Sequence, residues 1–160
     1  MVSAVEWTEN IVVDRPLEQV HHAVADEHEL MQWSAWPEAT GYTCAVDGDG
    51  RSTGSAIVFR DRRGVEQGRQ RLTRVEPDRV EYRLRNRGPF GRIMTPELDF
   101  RLEPLGPSRT RVHLDFRAIA PLPAGARHLV ELVLGRWARR LHVEDLRRLK
   151  VRLEAVPSTT

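Results

Sequence analysis

Ala124–Ala155, AGARHLVELVLGRWARRLHVEDLRRLKVRLEA, is the stretch that decides the fold. It holds no Pro and is rich in Leu and Arg, both good helix formers. Pro123 stands just before it and Pro157 just after it, so both ends of a helix are marked. Leu129, Val130, Val133, Leu134, Trp137 and Leu141 recur at helical spacing. Leu146, Leu149 and Leu153 continue the stripe on a face rotated around from the first. That drift predicts a bend near Gly135 or different partners for the two halves. A helix of this length needs a broad apolar surface to lie on.

The chain ahead of it reads as that surface. Val5, Trp7, Glu9, Ile11 and Val13 alternate with polar neighbours, which predicts a first strand. Arg15-Pro16 ends it, and Leu17, Val20 and Val24 have the spacing of a short helix. Asp26 and Glu29 have capping-box spacing for a second short helix carrying Leu30, Met31 and Trp33, with Pro37 closing the segment. From Thr40 to Ala118 six short alternating segments follow, separated by turns such as Asp47-Gly48-Asp49-Gly50 and Leu105-Gly106-Pro107-Ser108. The last three carry charge on one side and Leu, Val, Tyr or Phe on the other, which predicts an antiparallel sheet with one wet face. The order strand, two short helices, six strands, long helix predicts an α+β fold, a curved antiparallel sheet of about seven strands around the C-terminal helix.

Composition sets the outer limits. A chain of 160 residues with 40% hydrophobic and 30% charged residues makes one ordinary domain, with a core over about residues 5–155. No apolar run approaches the roughly 18 residues of a membrane span. The N-terminus lacks a basic region followed by an apolar one, so a cytoplasmic protein is expected. Net charge is +2, and Arg is interleaved with Asp and Glu. The one basic block, Arg147, Arg148, Lys150 and Arg152, lacks the aromatic interleaving of a nucleic-acid surface and reads as a solvated face.

The sequence resembles the START-like superfamily, also called SRPBCC or Bet v 1-like, and within it the polyketide cyclase/dehydrase and lipid-transport group. The resemblance runs from about Trp7 to Glu154. It is carried by Ile11 to Val20, Asp26 to Trp33, Val75 to Tyr82, Thr110-Arg111-Val112 and Asp145 to Glu154. It implies a helix-grip fold with a cavity between sheet and long helix, where members bind lipids, sterols or polyketides and a minority are enzymes. Two positions depart from the pattern. His21 stands where a large aromatic is common. Gly68 to Arg74 carries no aromatic where the aromatic cyclases have Trp-rich strands and a catalytic Arg, which argues against cyclase activity. Gly88-Pro89-Phe90 resembles a turn of those cyclases and reads as a loop device.

A cavity wall would draw on the inward sheet face and the helix. The candidate lining is Tyr82, Met94, Leu98, Phe100, Leu114 and Phe116 from strands, Trp33 and Trp36 near the mouth, and Val133, Trp137 and Leu141 from the helix. A filled core of the same residues is the alternative. Glu9, Gln70 and Asp145 are the polar groups in phase with inward neighbours, and a buried carboxylate among them could act as acid or base. Solvent exposure or pairing with Arg is the competing account.

His21, His22, Asp26 and His28 match no strong zinc pattern, so neither metal nor cofactor is expected. His142 and Asp145, three apart, read as a surface pair. Cys44 has no partner for nucleophilic chemistry or a disulfide.

Three functions remain open: binding of a small hydrophobic or amphipathic molecule, a cyclase/dehydratase-like enzyme using an inward carboxylate, or an interaction module at the basic helix end. A polar pair within hydrogen-bond reach inside the cavity would favour the enzyme.

Overall fold

The computed structural model describes residues 3–88, 91–120, 125, 127–155 and 157. Among them are eight strands and four helices. β1 is Ser3–Val13, followed by α1 (Leu17–Ala25), α2 (Glu27–Trp33) and α3 (Trp36–Thr40). Then come β2 (Thr43–Asp47), β3 (Ala56–Arg60), β4 (Glu66–Glu76), β5 (Arg79–Arg87), β6 (Ile93–Met94), β7 (Glu97–Gly106) and β8 (Arg109–Ala120). α4 closes the chain at Arg127–Ala155. The Pro89-Phe90 part of the cyclase-like turn and the predicted helix start at Ala124 lie outside the described residues, as does the Val130 side chain.

The sheet is antiparallel, in the order β1-β8-β7-β5-β4-β3-β2, with β6 pairing on β5. Register shifts at Phe59/Arg60, Leu72/Arg74 and Pro104/Gly106 are bulges, which raise local twist. One face is ionic, as the alternation predicts. Arg79 donates to Asp99 at 2.6 Å and Arg101 to Asp115 at 2.7 Å. The other face carries the core: Leu72, Val80, Tyr82, Phe100, Leu114 and Val112 are all buried, together with Val20 and Val24 of α1 and Leu146 and Leu149 of α4. Each such aliphatic side chain contributes roughly 1.5–3 kcal/mol.

The short helices are held by local chemistry. The Asp26 carboxylate accepts the His28 and Glu29 amides at the start of α2, the cap foreseen from spacing. Arg51 adds a 2.8 Å bond. Burial pushes the Asp26 carboxyl up, but these bonds outweigh it and hold the carboxyl below its ordinary value. The sequence predicts two short helices here; there are three. Pro37 does not close the segment. It sits in the first turn of α3, where its missing N–H costs nothing.

α4 corrects the expected drift. Its buried or half-buried line is Leu134, Ala138, Leu141, His142, Asp145, Leu146, Leu149 and Leu153, one continuous face. Each four-residue step turns a helix by roughly 40° beyond a full circle. Leu129 therefore lies about 120° away from Leu141. Accordingly Leu129 is 68% exposed, Val133 57% and Trp137 42%. Counting only apolar residues joined this outer row to the inner one. The true inner face passes through Ala, His and Asp.

A cavity with a buried polar pair

Between the inner sheet face and α4 lies a cavity of about 230 Å³. Its sheet wall comes from Phe59 on β3, Gln70 on β4, Leu84 and Asn86 on β5, Met94 on β6, Leu98 and Phe100 on β7, and Phe116 on β8. α2 gives Leu30 and Trp33, α3 gives Trp36, and α4 gives Leu134, Trp137, Ala138, His142 and Asp145. Trp36 and Trp137 meet edge to face with centroids 5.8 Å apart.

Strand register explains the polar part of the wall. Gln70 pairs with Leu84, and Gly68 with Asn86, so Gln70 and Asn86 are diagonal neighbours on one face. Gly68 leaves the space in which Asn86 lies, since a Cβ there would come within 2.7 Å of the Arg85 carbonyl oxygen and collide with Asn86 itself. Gln70 Nε2, Asn86 Oδ1 and Trp36 Nε1 are buried with no hydrogen-bond partner. Leaving such groups unmatched costs about 1–3 kcal/mol each.

The α4 side holds an ordered pair. Asp145 Oδ1 accepts the Ala35 amide at 2.6 Å, and Oδ2 lies 3.2 Å from His142 Nδ1. Both residues are buried. The His142 ring packs against Trp7 and Phe116, with centroids 5.2 and 5.4 Å away, and Trp7 and Phe116 stack on each other at 4.6 Å. The surface pair expected from spacing is an interior pair.

Of the candidate lining, Trp33, Trp36, Met94, Leu98, Phe100, Phe116 and Trp137 stand at this cavity. Tyr82, Leu114 and Leu141 are buried away from it. Tyr82 donates its hydroxyl to the Val24 carbonyl at 2.7 Å, and burial raises its pKa well above the ordinary phenol value. Val133 points to solvent for the helical-phase reason above. Of the polar candidates, Gln70 and Asp145 line the cavity. Glu9 does not: it faces α4 and is held by Arg139 at 2.5 Å. Sequence reasoning missed Asn86 and placed His142 at the surface. The signal for His142 was its four-residue step from Ala138 along the inner row.

His21 bonds the Glu76 carbonyl oxygen and Asp26 is committed to its cap, so the His/Asp cluster is spread among structural roles. No group of three or more His, Cys, Asp or Glu suited to a metal occurs among the described residues. Burial pushes the Cys44 thiol up to about 11, which leaves little thiolate near neutrality. No described helix is long and apolar enough to cross a membrane.

Comparison with known proteins agrees with this architecture. No curated relative matches the sequence. A Chromobacterium violaceum protein is similar in structure, with TM-score 0.65 and 17% identity over 94% of this chain and 99% of that one. A point mutant of norcoclaurine synthase from Thalictrum flavum, solved with a transition-state analogue, has TM-score 0.65 and 9% identity over 97% and 99% of the two chains. A protein of the dynemicin biosynthetic locus has TM-score 0.58 and 18% identity, covering 94% of this chain and 48% of that one. These identities speak for the fold alone. The polyketide cyclase/dehydrase and lipid transport family matches residues 4–154, so the chain, with its antiparallel sheet and long C-terminal helix, belongs to that family.

Proposed function

We propose that the protein binds a small, mostly apolar, ring-containing molecule in the cavity under α4. One observation carries this reading. An interior walled by Trp33, Trp36, Phe59, Phe100, Phe116 and Trp137 leaves Gln70 Nε2, Asn86 Oδ1 and Trp36 Nε1 without partners. A filled core would match or exclude such groups; a binding site keeps them for a ligand. The volume, about 230 Å³, lies below the roughly 300–1,000 Å³ of drug-sized sites, so one or two rings fit better than a long acyl chain. Membership of a cyclase and lipid-transport family supports a cavity ligand.

The test is native mass spectrometry for a co-purified molecule, with a titration of prodan, a neutral naphthyl ketone whose emission moves to the blue in apolar surroundings. Saturable one-to-one binding is expected. A protein that carries no added mass and leaves prodan emission unchanged would defeat the reading.

A cyclase- or dehydratase-like enzyme is the second reading, favoured by the buried His142–Asp145 pair at the cavity wall. The interaction module has less support. Arg147 and Arg148 are paired with Glu144, Lys150 with Glu154 and Arg152 with Glu29, so that helix end offers little free charge.

A further inference from the structure

The His142–Asp145 pair has the layout of an oriented base. Asp145 Oδ2 lies 3.2 Å from His142 Nδ1, which places the ring proton on that nitrogen and the lone pair on Nε2. Nε2 has no hydrogen-bond partner among the described residues, and His142 lines the cavity. The ring is fixed by Trp7 and Phe116, and Asp145 is itself fixed by the Ala35 amide, so the pair is built rather than incidental. The same cavity holds two unpartnered N–H donors, Trp36 Nε1 and Gln70 Nε2. A base with spare donors in one apolar enclosure suits chemistry that removes a proton and develops negative charge on oxygen.

We infer that His142 is a catalytic base that removes a proton from the carbon next to the carbonyl of a one- or two-ring aromatic ketone, with Asp145 as its positioning residue. The inference rests on the cavity being the ligand site. In the step, the α-carbon C–H bond breaks and an N–H bond forms at His142 Nε2. The electron pair becomes the enolate double bond, and the carbonyl pair moves to oxygen. The enolate oxygen takes a hydrogen bond from Trp36 or Gln70, and the imidazolium is stabilised by Asp145. Return of a proton from Nε2 to carbon restores the ketone, so no oxidant or reductant is required. In heavy water the returned nucleus is deuterium once the imidazolium has exchanged with solvent.

The experiment follows 1-tetralone with the full chain in deuterium oxide, reading loss of the proton signal beside the carbonyl by NMR. Binding is read separately from tryptophan quenching. The expected result is saturable binding with exchange about 100-fold above buffer, a typical gain for a positioned base. His142→Gln should bind with exchange at the buffer rate. Adding imidazole to His142→Ala should restore part of it. Asp145→Asn keeps an acceptor for Ala35 but presents an N–H to the ring, turning Nε2 into a donor; it should bind without exchange, and Asp145→Glu should recover some. The imidazole rescue and the Asn/Glu contrast would not move if the pair served folding alone. Binding without accelerated exchange, or exchange that survives His142→Gln, overturns this inference and leaves the cavity reading standing. No binding overturns both.

Discussion

Trp36 and Trp137 meet edge to face, 5.8 Å between centroids, one from the short helix α3 and one from α4. Trp137 is 42% exposed, whereas Trp33 of α2 is 3% exposed and donates its N–H to the Ala23 carbonyl at 2.9 Å. The first Trp borders the cavity; the second is also part of the core. Trp33→Ala should cost about 3–5 kcal/mol, as for other buried aromatics. Trp137→Ala should cost less, roughly 1–2 kcal/mol, because much of its surface is already outside the packing. Urea midpoints compare the two. Prodan affinity should fall clearly for Trp137→Ala; equal destabilisation by both, with affinity unchanged, would count against a cavity edge at Trp137.

Val133 tests the helical phase. It lies on the outer row of α4 and is 57% exposed. Val133→Asp should change the stability read from urea unfolding by no more than about 0.5 kcal/mol, the usual range for surface substitutions. Leu149→Asp, on the fully buried row, should prevent folding or cost several kcal/mol.

What the sequence could reveal follows from which signal each residue carries. The strands were legible because alternation repeats in seven segments, and one face is charged at Glu81, Arg83, Glu97, Asp99, Arg111 and Asp115. Gln70 was legible for the same reason, being in phase with Leu72. β6 was not, because two residues cannot show a period. The inner row of α4 was obscured because its central members, Ala138, His142 and Asp145, are not the residues that apolar counting selects. Leu129 and Val133 were selected although they face outward. The neutral polar wall was half legible: Gln70 by phase, Asn86 only through its pairing with a glycine.

Gln70 supplies a third prediction. Its Nε2 is buried without a partner, so Gln70→Leu removes a group whose unmatched burial costs free energy. Stability should hold or rise by about 1 kcal/mol, read by the urea midpoint. Affinity for prodan should fall relative to a naphthalene analogue lacking the carbonyl. A loss of stability with both affinities unchanged would mean that Gln70 serves the sheet rather than a ligand.

Glu27 gives the pH dependence. Its side chain is fully buried, with Oε2 accepting the Ser55 hydroxyl at 2.6 Å and Oε1 unmatched. Burial raises its pKa from 4.5 to about 7; the Ser55 bond opposes this, and nearby Asp49 and Asp26 add to it. The folded pKa stands above the unfolded one, so between the two values the folded state holds more protons. The linkage sign is therefore negative: stability from this group is fully present below the unfolded pKa, falls as pH rises through that window, and is lost above about 7. At 1.36 kcal/mol per unit the change is about 3 kcal/mol. Glu27→Gln keeps an acceptor for Ser55 and cannot ionise. The difference in urea midpoint between Glu27→Gln and the parent should grow in favour of the variant from pH 4.5 to 7.5 and then level off. A difference that stays flat across that range would show that Glu27 is not the buried titrating carboxyl; one that grows as pH falls would reverse the sign and place its ionised form among stabilising partners.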